Sequence, residues 1–210
     1  MVEWAVLLPA SVVVAATPGA NQLLALRNGV RAGMRAAVVA SLGRFAAFAL
    51  MVVAVAVGVG ALLATSQVLF GLLKWAGVAY LAWLGLRALR DGFRARPDQA
   101  EACERFECGR PTQLARQEFV VALANPKALI LFTVFLPQFV SGGAHGEAPA
   151  LLAAGMAYIA IEFVCAWGYA ALGGRIGACG LTGRTRRLTD RVTGAAMLGL
   201  AGWLARESST

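Results

Sequence analysis

The chain has 210 residues, 59% of them apolar and 14% charged, whereas a soluble domain carries about a quarter charged residues. The formal charge of +8 lies in short basic segments between apolar runs. That pattern orients a chain in a bilayer and leaves no soluble basic domain to bind nucleic acid.

In chain order, Trp4–Leu26 and Phe45–Leu73 contain no Asp, Glu, Lys or Arg. Each is long enough to cross hydrocarbon, which takes about 20 helical residues, and neither shows the polar stripe of a soluble helix. The start, Met1-Val2-Glu3-Trp4, has no Lys or Arg before Arg27, so the first run reads as a permanent helix and not as a cleaved signal peptide. The predicted spans are 4–26, 37–64, 68–87, 118–140, 149–174 and 190–206. The fourth carries Lys127 internally. The uncharged core of the sixth, Val192–Ala205, is short, and Arg191 and Arg206 would snorkel outward to complete it.

The expected fold is therefore an all-α, polytopic membrane protein of about six transmembrane helices. Residues 1–210 form one transmembrane domain, with repeats at 1–90 and 118–206 and a polar cytoplasmic linker at 91–117 that holds Pro97 and Pro111. Three helices per half force the halves into opposite orientations, the inverted-repeat plan of many secondary transporters. A shift of 117 residues supports it, placing Gly77-Val-Ala-Tyr-Leu on Gly194-Ala-Ala-Met-Leu, Gly85 on Gly202 and Pro9 on Pro126. Lys and Arg number 15 in the segments between spans 1 and 2, 3 and 4, and 5 and 6, against 2 on the other side. Both termini are then expected outside the cytoplasm, with Trp4, Trp75 and Trp203 at outer helix ends.

Four features interrupt the apolar pattern. Thr17-Pro18-Gly19-Ala20-Asn21-Gln22 falls inside the first span. Pro18 has no N–H and displaces the carbonyl four residues back, while Gly19 lets the backbone open. The freed groups must meet protein, water or substrate, and the N–H end of the following half-helix attracts a carboxylate. The alternative is a packing kink, with Asn21 and Gln22 facing headgroups. Asn125-Pro126-Lys127 interrupts the fourth span, and paired Pro-interrupted segments are the best sequence pointer to a transporter's binding site. Alternatively the helix simply starts at Pro126, with Lys127 in the interface. Glu162 lies 13 residues from both Pro149 and Arg175, so it must be paired, protonated or facing water, the setting of a proton carrier or of a structural counter-ion. Arg44, about 12 Å along its helix from Ala36, either snorkels to the cytoplasmic face or pairs with Glu162.

The remaining features predict no cofactor. Cys103 and Cys108 fall in the linker, spaced poorly for zinc, and His145 is the only histidine. No Gly-x-x-x-x-Gly-Lys-Ser/Thr, His-Glu-x-x-His or Gly-x-Ser-x-Gly occurs, which argues against ATP-driven pumping and against a membrane enzyme. A purely structural protein would not need a mid-depth glutamate.

Taken together these segments resemble the lysine exporter and homoserine/threonine efflux superfamily, the LysE/RhtB type, in order over nearly the whole chain. Thr17-Pro18-Gly19-Ala20-Asn21 resembles its Pro-Gly-Pro motif, and Arg31-Ala32-Gly33 with Leu42-Gly43 its glycine-spaced second segment. Leu73-Lys74-Trp75-Ala76-Gly77-Val78-Ala79-Tyr80-Leu81 through Gly85-Leu86-Arg87 is similar to its third helix. Asn125-Pro126-Lys127-Ala128 running into Leu136-Pro137-Gln138-Phe139 is the most specific piece. Two residues depart from the pattern. Ala20 replaces the second proline, and Arg44 stands where many relatives carry an acid. The resemblance implies export of amino acids driven by the proton-motive force, in the cell inner membrane.

The expected site comprises Pro18, Gly19, Asn21, Gln22, Arg44, Asn125, Pro126, Lys127 and Glu162. Opened backbone near Gly19 and Asn21 would meet the substrate carboxylate, and Glu162 an ammonium or a proton. Arg44 and Lys127 would favour a neutral or acidic amino acid over a basic one. The expected partners are an amino acid, protons and lipid, with a homo-oligomer left open. A cytoplasm-only reporter fused after Thr210 is expected to be silent; bright signal would mean an odd number of spans.

Overall fold

A computed structural model describes residues 1–58, 67–94, 111–140, 147–178 and 183–206. Cys103, Cys108, His145, Cys179 and linker residues 95–110 lie outside these. The described residues are helical apart from short connections and one isolated bridge between Val2 and Val140.

Helix α1, Trp4–Ala16, is apolar all round: Leu7 and Ala15 are buried while Val6, Leu8, Val12 and Val13 are exposed, as suits a helix facing lipid. Pro9 lies within it without breaking it. The break comes at Thr17, whose ψ of 120° is the extended value that the following proline imposes. Helix α2, Ala20–Ala56, then begins, but it is not one rod. Gly33 has φ 83° and ψ 162°, and Arg44 donates to the carbonyl of Asn21. In a straight helix those residues would stand about 34 Å apart at 1.5 Å per residue. The chain therefore reverses at Gly33, and α2 is a helical hairpin with limbs 20–32 and 34–56. The expected loop at 27–36 is a single glycine.

Helix α6, Glu147–Ala178, lies against both limbs. Gly29 abuts Gly173 and Gly174, Val30 abuts Gly177, and Val52 on the other limb abuts Gly155. Helix α4, Pro111–Ala124, also touches both limbs, with Ala115 against Gly43. It starts at a proline, a common first helical residue, well before the expected 118. It is followed by α5, Pro126–Ile130, then a π-helical turn at Leu131–Phe135 and a 3-10 turn at Leu136–Phe139. The segments before and after Asn125 meet at 58°. Helices α3, Gln67–Arg94, and α7, Gly183–Arg206, pack mainly on each other. There a Cβ on Gly85 would come 2.9 Å from the Gly194 carbonyl, and one on Gly194 would come 2.7 Å from that of Gly85.

By length and composition, α2 and α6 are apolar enough to cross a membrane, and the bent pair around Asn125 forms a third such unit. Large apolar side chains such as Val39, Leu50, Val53, Val164 and Trp167 point outward, while Asn21, Gln22, Asn28, Arg44, Glu118 and Glu162 are buried. Two apolar clusters flank these polar groups. One joins Leu7, Phe48, Phe132, Leu136 and Tyr158; the other joins Ala20, Leu24, Leu81, Val121 and Met197.

Several boundaries differ from expectation. Helices α3 and α4 intrude into the linker from both ends. The first break, placed near one end of a 4–26 span, lies midway between the 13 residues of α1 and a first α2 limb of equal length. The shift of 117 pairs Pro126 with the unbroken Pro9 and so does not pair the two breaks.

Gly33 has no atom within 4 Å of a would-be Cβ, so a substitution there acts on the backbone alone. Its dihedrals are essentially restricted to glycine, and Gly33→Ala is expected to cost about 1–3 kcal/mol, read as a lower midpoint of thermal unfolding in detergent. Gly168→Ala, equally uncrowded but inside a helix, is the control and is expected to hold or raise the midpoint, since alanine favours a helix interior over glycine.

Candidate functional site

A broken helix leaves its last carbonyls without partners, and α1 shows where they go. Val13 O accepts from Thr17 N at 3.1 Å and from Thr17 Oγ1 at 2.7 Å. Lys127 Nζ donates to Val14 O at 2.6 Å and to Thr17 O at 2.9 Å. Gln22 Nε2 takes Ala15 O at 2.9 Å, and Tyr169 OH takes Ala16 O at 3.1 Å. On the other side of the break, the start of α2 has no side-chain cap. Lys127 Nζ lies 4.0 Å from where a Cβ on Gly19 would be, so a positive charge stands beside uncapped N–H groups.

The second break is arranged differently. Asn125 caps the following helix, its Oδ1 accepting from Lys127 N at 3.0 Å, with Pro126 next in the first turn. The Lys127 side chain then leaves its own helix for α1. The two interruptions read separately in the sequence thus meet in space.

A buried charge cluster lies beside them. Arg44 is 0% exposed and does not snorkel. Its Nε and Nη2 donate to Glu118 Oε2 at 3.1 and 2.7 Å, and its Nη1 reaches Glu162 Oε1 at 3.3 Å. Glu118, also 0% exposed, accepts from Asn28 Nδ2 at 3.1 Å through its other oxygen. Glu162, 1% exposed, accepts from Gln22 Nε2 at 3.0 Å and from Tyr158 OH at 3.4 Å. Arg44 therefore pairs with two carboxylates. The sequence reading named only Glu162, because Glu118 stood at the presumed edge of a span starting at 118. Pro111, a helix-start signal, would have placed it two turns deep.

Asn21, Gln22, Phe48, Asn125, Lys127, Ala128, Tyr158 and Glu162 line a cavity of about 10 Å³, about the room of one water. Asn21 is 2% exposed, and its Oδ1 has no hydrogen-bond partner. Pro18 is exposed and does not line the cavity; it shapes the break. A second ionic cluster joins the hairpin to α3 and α7. Asp190 accepts from Arg27 Nε at 3.0 Å and Arg31 Nη2 at 2.7 Å, with Asp91 at 3.4 and 3.7 Å from the same two arginines. In the sequence Arg27 and Arg31 read as orientation signals, and Arg31 also as part of the glycine-spaced segment of the resemblance; nothing there pairs them with Asp91 and Asp190.

The sequence matches the LysE type translocator family over residues 12–208. A homoserine/homoserine lactone efflux protein of Salmonella typhimurium is 31% identical over 175 residues, 83% of this chain and 82% of that protein. An uncharacterized membrane protein of Vibrio cholerae is 31% identical over 174 residues, with the same coverage. A leucine efflux protein of Klebsiella pneumoniae is 28% identical over 123 residues, 59% of this chain and 56% of that protein. No solved structure matches the chain.

Lys127→Met removes the donor to Val14 O and Thr17 O. The expected loss is at least that of about one orphaned acceptor, about 1–3 kcal/mol. Thermal unfolding of the purified variant checks this, and an unchanged midpoint would show that water replaces the ammonium without cost.

Proposed function

The chain belongs to the LysE type translocator family, and we propose that it is a secondary active exporter of neutral amino acids, coupled to protons, in the cell inner membrane. Six spans in two inverted halves alternate access to the cavity between the breaks. The observation that carries this reading is the convergence there of an uncapped helix start, Lys127 and Glu162. A zwitterion presents one carboxylate and one ammonium. The carboxylate fits the N–H end of α2 beside Lys127, where dipole and ammonium add. The substrate ammonium fits between Glu162 and the unpartnered Asn21 Oδ1. Gln22 and Asn125 complete the lining and fix the orientation of the two ends.

Charge balance supports a neutral substrate. Arg44 and Lys127 oppose Glu118 and Glu162, so a zwitterion adds no net charge, whereas a cationic side chain would add one in a setting where an unpaired charge is costly. The efflux relatives named for homoserine and leucine are in line with this. Coupling follows from one carboxylate with two competing partners. Glu162 holds the ammonium while the substrate moves outward, and a proton from outside then displaces it. The protonated carboxyl returns and releases its proton toward the cytoplasm. Because the cavity holds about one water, each exchange requires the helices to separate.

The test is purified protein in proteoliposomes loaded with leucine or homoserine, under an imposed pH gradient. The parent is expected to drive uphill export. Glu162→Gln, whose amide resembles the protonated acid in shape, is expected to lose gradient-driven export while substrate-for-substrate exchange persists at a raised KM, since the amide offers the ammonium no charge. Gradient-driven export equal to the parent's would overturn the proton role.

A further inference from the structure

We infer that Glu118 is a positioning residue that occupies Arg44 and so leaves the charge of Glu162 available to substrate and proton; this rests on the export reading above. One guanidinium neutralises one carboxylate, and two are present. The geometry divides them unequally. Glu118 takes two hydrogen bonds from Arg44, at 3.1 and 2.7 Å, and a third from Asn28 at 3.1 Å. It is fully buried and does not line the cavity. Glu162 receives a single longer bond from Arg44, at 3.3 Å, and lines the cavity. Arg44 is further anchored by the Asn21 carbonyl, which points it at Glu118 from the start of α2. An arginine shared on these terms belongs to Glu118.

The charge count then has a consequence. Without Glu118, Arg44 would turn to Glu162 and hold it as a closed ion pair, leaving no free negative charge for an ammonium. The other groups facing Glu162 do not substitute for that balance. Gln22 on α2 and Tyr158 on α6 are neutral donors, Cys165 lies one turn further along α6, and Lys127 on α5 shares the cavity with its charge but gives its hydrogen bonds to the α1 carbonyls, not to Glu162. Breaking a buried pair by removing one partner leaves an uncompensated charge, whereas replacing both partners does not. That difference separates a charge role from a tie between helices.

The test uses Glu118→Gln and the double Arg44→Gln/Glu118→Gln, which keeps hydrogen-bonding side chains without their charges, with Glu162→Gln to assign the signal. The first readout needs no transport: the infrared band of the protonated carboxyl, followed while purified protein is acidified and assigned by its loss in Glu162→Gln. The band is expected in the parent, absent over the same range in Glu118→Gln and restored in the double variant. The second readout is KM for leucine or homoserine exchange. It is expected to rise at least about tenfold in Glu118→Gln, the scale of an altered buried charge pair, with maximal rate little changed, and to recover in the double variant.

An infrared band unmoved by Glu118→Gln overturns the inference. So does a folded double variant that lacks the band or keeps the raised KM, and this holds even where the single variants fail to fold. A parent that shows the expected band pattern but exchanges neither amino acid would sink the substrate reading and leave the role of Glu118 standing.

Discussion

Hydrocarbon supplies no water to a peptide carbonyl, so a helix broken inside a membrane must find its own partners. That constraint organises this protein around Lys127. The lysine sits just past one break and spends its ammonium on Val14 and Thr17 at the other. Gln22 and Tyr169 take the two carbonyls between. Asn125 supplies the cap that frees the Lys127 side chain to leave its own helix. Each break is completed by residues from elsewhere in the chain, and the α1–α2 junction is thereby tied to the α4–α5 junction. The acceptors of the first break are consumed while the donors at the start of α2 are left uncapped. This asymmetry is what the proposed carboxylate site draws on.

The buried charges follow the same economy. Arg44 comes from the returning limb of a hairpin whose turn at Gly33 only glycine adopts readily. Because the limbs lie side by side, the guanidinium reaches the carbonyl of Asn21 and the carboxylates of α4 and α6 at once. The apolar clusters on either side keep water out, and Phe132 stacks edge-on to Tyr158 with ring centroids 5.6 Å apart. Helices α3 and α7 form a separate layer. They meet the hairpin at the second apolar cluster and at the ionic cluster of Arg27, Arg31, Asp91 and Asp190.

Much of this was legible in the sequence, and what was not has physical reasons. Pro18, Pro126, Lys127 and Glu162 stand out because each violates the apolar pattern locally, and the resemblance to the LysE/RhtB type is borne out by the family match. Glu118 was overlooked because a hydropathy reading opens the span where charge ends, and so treats a buried acid near that edge as the edge itself. The reversal between the first two spans is legible at 27–36, but not that a single residue makes it, because Gly33 lies among Arg27, Arg31 and Arg35. Basic residues suggest a loop, yet here both limbs stay helical to the turning point. The fixed offset of 117 matches residue types. The breaks instead occur at 17–19 and 125, a different offset, because backbone geometry is set by the residue before a proline and by what caps it.

Equal lengths on the two sides of each break give the last constraint. The first is flanked by 13-residue half-helices, and the second by a 14-residue helix and an equally long, irregular one. A half-helix of that size is about 20 Å long, so on the proposed topology each junction lies far from either membrane surface. Polar groups at such depth must satisfy one another, and a set of acids, bases and amides that does so must come close to balancing its charge. A solute entering such a site replaces bonds already made. On the proposed reading a zwitterion exchanges with them at both ends, its carboxylate at the uncapped start of α2 and its ammonium at Glu162.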